Sequence, residues 1–245
     1  MAVSTHNGST AEQRAMMVSY LNLRGAIGLF AIALPVVVVS VGLSLGEPLR
    51  SSISSYYHYA PTRDIFVAIL CAIGVFLGCY SGYSDQVWYK NELGIHKLMG
   101  ISAVMVGLCP TFQAGVTVGP YLELLASVHI GAAATLMLAM AITALWMFPN
   151  NQGATQFEGD SAAVQRTKAT NAWVYRACGL WIVGALLYFA LHRIFTSRSP
   201  GDATLFYVEW IAIWGFGVAW LWKSHWLSSA AAIIAERVTS RTSSP

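Results

Sequence analysis

The stretch Arg50–Tyr83, RSSISSYYHYAPTRDIFVAILCAIGVFLGCYSGY, decides the fold. Its first part is dense in hydroxyls and rings, and from Ile65 it runs to Tyr83 without a charge. An uncharged apolar run of about 20 residues matches the hydrocarbon thickness of a bilayer when it is helical. Pro61 and Thr62 mark its start, because the fixed φ of proline is tolerated in a first helical turn. Asp64, Ala68, Cys71, Val75, Cys79 and Gly82 recur at helical spacing and are mostly small, which predicts the packing face of this helix.

Five more runs of this kind lie around it, at 25–45, 98–112, 124–148, 173–195 and 205–222. With 65–83 they predict an all-α polytopic membrane protein of six transmembrane helices. Pro110 bends or ends the helix at 98–112, since it removes an amide donor. The composition agrees: 56% hydrophobic residues against 10% charged leaves too few charges to cover a soluble globule of 245 residues. A net charge of +3, spread over loops without a basic run, excludes nucleic acid as a partner. All four cysteines, Cys71, Cys79, Cys109 and Cys178, fall in apolar segments without CxxC spacing and read as small packing residues.

Residues 1–20 lack the basic start of a signal peptide and read as a flexible cytoplasmic tail ahead of a membrane domain at 21–223, with a second tail at 224–245. Asn7-Gly8-Ser9 matches a glycosylation triplet on the cytoplasmic side. Orientation follows from lysine and arginine near the helix ends. With the N-terminus inside, Arg14, Arg24, Lys90, Lys97, Arg166, Lys168, Arg176, Lys223, Arg237 and Arg241 are internal, against Arg50, Arg63, Arg193 and Arg198 outside. Both termini are therefore expected in the cytoplasm, and the membrane is read as a bacterial inner membrane. The long loop at 149–171 reads as a mobile linker, and 227–238 as an amphipathic piece or a helix extension.

This topology gathers isolated polar residues at one level. Asp64 opens the second helix, His129 lies about a turn into the fourth, His192 is near the end of the fifth and Glu209 is about a turn into the sixth, all toward the outer face. The segment Ser51–Tyr59 hangs above them. Ionisable groups inside a membrane are costly and face the protein interior with a partner, so His129 and Glu209 are the expected pair. Such a pair serves as a general base, a metal ligand or an interhelical hydrogen bond. Arg63 and Asp64 read as a headgroup contact and a helix cap, favoured by the helix dipole, and Tyr57 as an interfacial ring or a ligand-stacking one. The candidate ligand-binding residues are therefore Ser54, Tyr57, Arg63, Asp64, His129, His192 and Glu209.

Two segments carry a resemblance. Ser52-Ile53-Ser54 with Tyr56-Tyr57, then Arg63-Asp64-Ile65-Phe66-Val67 leading into Cys71-Ala72-Ile73-Gly74-Val75-Phe76-Leu77, resembles a motif of a group of bacterial multi-pass membrane proteins of unknown function. Glu209-Trp210-Ile211-Ala212 and Phe216-Gly217-Val218-Ala219-Trp220-Leu221-Trp222-Lys223 resemble the last helix of that group, and Tyr175-Arg176 with Cys178-Gly179 extend the match. The six-helix plan is also similar to that of the damage-regulated autophagy modulator family, which is linked to membrane lipid organisation. Neither resemblance implies a defined reaction; both imply that Ser54, Arg63, Asp64, His129 and Glu209 belong together.

The sequence thus favours a polar pocket near the outer leaflet that takes a membrane lipid headgroup or a small polar ligand. The alternatives are a membrane-embedded metal-dependent hydrolase acting on lipid, and a structural subunit whose helix faces meet another membrane protein or a second copy. No catalytic residue, metal or cofactor is assigned from the sequence, and no HxxxH or HxxxD pair puts two ligands on one helix face.

Overall fold

The computed structural model describes residues 5–82, 92–113, 116–117, 119–151, 162–196 and 202–225, and among them every regular element is helical. The elements are α1 (Thr5–Ser44), a short 3-10 helix (Ser54–His58), α2 (Thr62–Cys79), α3 (Glu92–Leu108), α4 (Pro120–Ile142), α5 (Ala162–Phe195) and α6 (Thr204–Lys223). A π-helical turn, Thr143–Met147, and a last turn, Phe148–Asn150, continue α4. Five of these helices are long and apolar enough to cross a membrane: Ala15–Ser44, Thr62–Cys79, Pro120–Asn150, Gln165–Phe195 and Thr204–Lys223. The chain is an all-α polytopic membrane protein. At 17 residues α3 is shorter, about 25 Å by the helical rise.

Each helix packs on its neighbour in sequence, and α6 packs back on α1, so the six close into a ring. The ring is drawn tight at glycines. A Cβ on Gly28 would stand 2.8 Å from the Gly217 carbonyl oxygen, and one on Gly74 would stand 2.7 Å from that of Gly100, so α1 meets α6 and α2 meets α3 backbone to backbone. The core between them is filled by Ala31, Ile73, Met99, Ala212, Phe216 and Trp220 at one level and by Leu34, Val38, Phe66, Leu70 and Phe206 at the other. Leu29, Val75, Ile101, Leu124, Leu180 and Ile194 point outward. An apolar coat this extensive fits a helix bundle whose solvent is lipid.

The expected helix borders shift for local reasons. Thr62 donates its hydroxyl to the carbonyls of Tyr56 (3.0 Å) and Tyr59 (2.6 Å), which fixes the start of α2 onto the 3-10 turn. The helix stops at Cys79, short of 83. At the other end of the hairpin α3 stops at Leu108, not 112, because the residue before Pro110 is pushed out of helical geometry. Its start moves back from 98 to Glu92, whose charge is accommodated by partners inside the bundle. Pro120 occupies the first turn of α4, and α5 begins at Ala162, so the second half of the expected linker is helical. Residues 5–20 continue α1 instead of forming a tail; their Ala, Glu, Gln, Arg and Met content favours helix.

Most of the small stripe of α2 does not pack. Asp64, Ala68, Val75 and Cys79 are exposed while Cys71 is half-buried against Gly107, and the buried face is Phe66, Leu70, Ile73, Gly74 and Leu77, because bulk from α2 fills the ring while Gly74 and Gly78 allow the close approach to Gly100. The four cysteines are free thiols. Residues 152–161, the piece at 227–238 and the counted charges Lys90, Arg198, Arg237 and Arg241 lie outside the described residues.

Candidate functional site

Buried polar side chains collect at both ends of the ring. At the first end the segment after α1 folds inward. Ile53 is 1% exposed, and the carboxylate of Glu209, on the first turns of α6, accepts the amides of Ile53 and Ser54 (3.4 Å to the latter) and the Ser54 hydroxyl (3.3 Å). Glu209 thus caps the 3-10 helix from another element, where unsatisfied amides attract a negative charge. Ser52 is joined to Ser54 and Ser55 by hydroxyl contacts, 3.2 Å to Ser54. Tyr57 donates to the Leu108 carbonyl at 3.1 Å, and the His58 Nε2 lies 3.0 Å from that of Thr111, so the segment is also fastened to the end of α3. Arg50, ion-paired with Glu47, covers the Tyr59 ring at 3.5 Å. Burial pushes the Tyr56 hydroxyl above the ordinary tyrosine range.

His129, 2% exposed on α4, donates from Nδ1 to the Cys109 carbonyl at 2.9 Å, with the Val106 carbonyl also beside the ring. Pro110 ends α3 there and leaves its last carbonyls needing donors, which the histidine supplies. Beneath the inward segment lies a cavity of about 60 Å³. Ser54, His129 and Glu209 form its polar end; Leu34, Phe66, Leu70, Val106 and Leu136 form its wall, and Ile73, Met140 and Phe216 its depth.

Of the seven candidate residues the structure gathers these three. Tyr57 turns to α3, while Arg63 and Asp64 are exposed and paired with each other at 3.3 Å. His192 lies 4.0 Å from Asp202, on the far side of the loop into α6. Hydrogen bonds from Thr204 hold the Asp202 carboxyl below the ordinary aspartate range. His129 and Glu209 share the cavity but bond to backbone groups and Ser54 rather than to each other. Among the described residues no three His, Cys, Asp or Glu side chains meet as a metal-ligand set, so the hydrolase alternative lacks its ligands there.

The second end carries a cluster that the sequence reading passed over. Lys223 binds Glu92 at 2.8 Å, with 5% and 0% of the two side chains exposed. Tyr80 donates to Glu92 at 3.0 Å and accepts from Arg24 at 3.2 Å, and Arg24 reaches the Lys223 carbonyl at 3.4 Å. His96 donates from Nδ1 to the Glu92 carbonyl and sits among Tyr80, Phe148 and Trp220, with ring centres 4.6, 6.2 and 5.4 Å away. Lys223 lies 3.9 Å over the Phe148 ring, and Arg24 4.3 Å over that of Tyr20. Arg24 and Lys223 count among the flanking cations in the sequence, yet both are internal. The spacing Glu92-x-x-x-His96, one turn on one face, was the available signal, and starting the helix at 98 hid it.

No protein-family model, characterised protein or solved structure matches the chain.

Proposed function

We propose that the chain is a six-span membrane protein with both termini on the cytoplasmic side, and that it binds an amphiphile in the cavity at the Glu209 end. The ligand's polar head meets Ser54, His129 and Glu209, and the first methylenes of its chain fill the cavity. One observation carries this reading: a cavity of about 60 Å³, apolar along its length, ends at three buried polar side chains drawn from the inward segment, α4 and α6. Ligand sites have this composition, mostly apolar with a few convergent polar groups.

Two observations support the topology. Although short, α3 runs from Glu92 in the Lys223-end cluster to Val106 in the cavity wall, the same two levels as its neighbours. Of the described basic residues outside the buried cluster, Lys97, Arg166, Lys168 and Arg176 belong to the Lys223 end, against Arg50, Arg63 and Arg193 at the other.

The test is to extract purified protein and identify bound amphiphiles by mass spectrometry. Wild type is expected to carry about one per chain. Ala133→Phe, which fills the cavity, is expected to lose it, and Gly131→Phe, on an open face of the same helix, to keep it. Equal recovery from the two variants, or none from wild type, overturns the reading.

A further inference from the structure

The cavity at the Glu209 end holds only a small part of an amphiphile. A single water needs about 10–15 Å³ of such space. About 60 Å³ therefore takes a head of one functional group and its first methylenes, and no second chain beside them. The rest of the tail has to leave through the wall.

Most of that wall is sealed. On the aqueous side Ile53 and Tyr56 of the inward segment are each 1% exposed, and Glu209, Tyr57 and His58 fasten the segment to α6 and α3. Between α1 and α2 the rings of Phe30 and Phe76 stack at 5.9 Å, and Tyr56 lies against Gly42. Between α2 and α3 a Cβ on Gly107 would stand 3.2 Å from that of Leu70. His129 joins α4 to the end of α3. The Trp214 indole donates to the Ile32 carbonyl at 3.1 Å and, with the Gly28–Gly217 contact, closes α6 on α1. Between α5 and α6 a Cβ on Gly215 would stand 3.2 Å from the Cys178 carbonyl oxygen.

The seam between α4 and α5 differs. It is tight at the π-helical turn, where a Cβ on Gly179 would stand 2.9 Å from the Leu145 amide nitrogen. Toward the Glu209 end α5 stays with α6, Gly184 has open space around it, and Leu187 and Leu191 are more than half exposed. No described residue of α5 lines the cavity. The lining differs accordingly from side to side. Leu34, Phe66, Leu70, Ile73 and Phe216 are at most 5% exposed, whereas Ala133, Leu136 and Met137 of α4 and Ile213 of α6 line the same cavity and are only half-buried. These four side chains surround a mouth. Ile213 lies about 14 Å into a helix about 30 Å long, so the mouth opens at hydrocarbon depth.

We infer that the cavity is entered sideways from the bilayer, between α4 and α6 where α5 leaves them uncovered, and that its ligand is a single-chain membrane lipid with a head of one functional group. The head sits inside, and the tail runs out through the mouth to lie along α4 and α5 in the lipid. This rests on the amphiphile-binding reading above and adds the ligand's class and its route.

The experiment uses the full chain in lipid nanodiscs with hexadecanol and hexadecanoic acid, each carrying a photoreactive diazirine at carbon 3 or at carbon 13. Labelled residues are mapped by mass spectrometry, and labelling that persists in Ala133→Phe is subtracted as contact from bulk lipid. For at least one of the two compounds, the carbon-3 form is expected to label Met140 or Phe216 in the cavity, and the carbon-13 form to label Leu138 or Leu187 beside the mouth. Carbon-3 labels in the cavity without carbon-13 labels at the α4–α5 seam overturn the sideways route while amphiphile binding stands; carbon-13 labels on residues 51–59 do the same, because the tail then leaves toward water. A phosphatidylcholine with the diazirine at carbon 3 of one chain is expected to label no cavity residue, and labelling of Met140 by it overturns the ligand class. If no probe labels wild type above Ala133→Phe, the binding reading itself falls.

Discussion

Glu92→Gln removes the carboxylate that two internal cations face, and its cost can be worked from the geometry. At the 2.8 Å separation of Lys223 and Glu92, an effective dielectric constant near 20 gives an attraction of about 6 kcal/mol. Desolvation of both groups offsets part of that, and removing one member of a buried pair costs about 3–5 kcal/mol in other proteins. The glutamine keeps an oxygen for the Tyr80 hydroxyl but holds no charge against Lys223 and Arg24, so the expected loss lies in that range. Lys223→Met costs less, about 2–4 kcal/mol, since the carboxylate it leaves behind still has the Tyr80 hydroxyl and, through it, Arg24. The double variant should fall short of the sum by about 2 kcal/mol or more, which measures the coupling. Lys97→Met, one residue beyond His96 and exposed, is the control and should stay within about 0.5 kcal/mol of wild type. Equilibrium unfolding in mixed micelles, titrated with SDS and followed by far-UV circular dichroism, gives all four values. A Glu92→Gln loss within about 1 kcal/mol of the control, or an additive double variant, would mean that water screens the pair and that the cluster is not internal.

Gly28→Val should lower the unfolding midpoint by the equivalent of about 1–3 kcal/mol, because its side chain would collide with the Gly217 carbonyl and the Leu221 amide; Gly131→Val, with open space around it, should leave the midpoint unchanged. Glu209→Ala strands the Ile53 and Ser54 amides, costing about 1–3 kcal/mol locally, and should raise maleimide labelling of a cysteine placed at Ser55; Glu123→Gln, in the exposed first turn of α4, should not. A membrane-impermeant thiol reagent on intact cells should label Arg63→Cys and should reach Arg166→Cys only after permeabilisation, and the reverse pattern would invert the proposed orientation.

The spans were legible because the signal for them is local. A charge-free run near 20 residues has few soluble explanations, and Pro61 and Pro110 mark helix ends through φ and a missing amide, whereas Pro35 lies inside α1 and Pro120 opens α4 four residues before the expected start. The packing face of α2 was not legible. Small residues mark where backbones touch only when a partner glycine stands opposite, as Gly100 does for Gly74, and nothing in the α2 sequence reveals that. Depth along a helix could be counted, which is why His129 and Glu209 were placed at one level; facing could not, which is why Asp64 and His192 were placed there with them. The Lys223-end cluster was hidden by a different rule. Charges at helix ends count as flanks when hydropathy sets the border, so Arg24 and Lys223 were counted for orientation and Glu92 was left outside its helix, although each is buried.

The two polar ends differ in how their carboxylates are met, and that difference separates scaffold from site. Glu92 is held by an ammonium at 2.8 Å and a tyrosine hydroxyl at 3.0 Å, amid rings that fix every member, which ties α1, α3 and α6 and the end of α2 together where the ring would otherwise splay. Glu209 is equally removed from water, yet its described partners are all neutral, and the histidine sharing its cavity keeps a nitrogen with no hydrogen bond. A buried carboxylate without a cation is a costly arrangement that packing alone does not require, since a neutral side chain such as glutamine has an oxygen to accept those amides. An acid at that position instead stands where the polar part of a ligand would meet it, at the edge of the cavity that Ser54 and His129 also line.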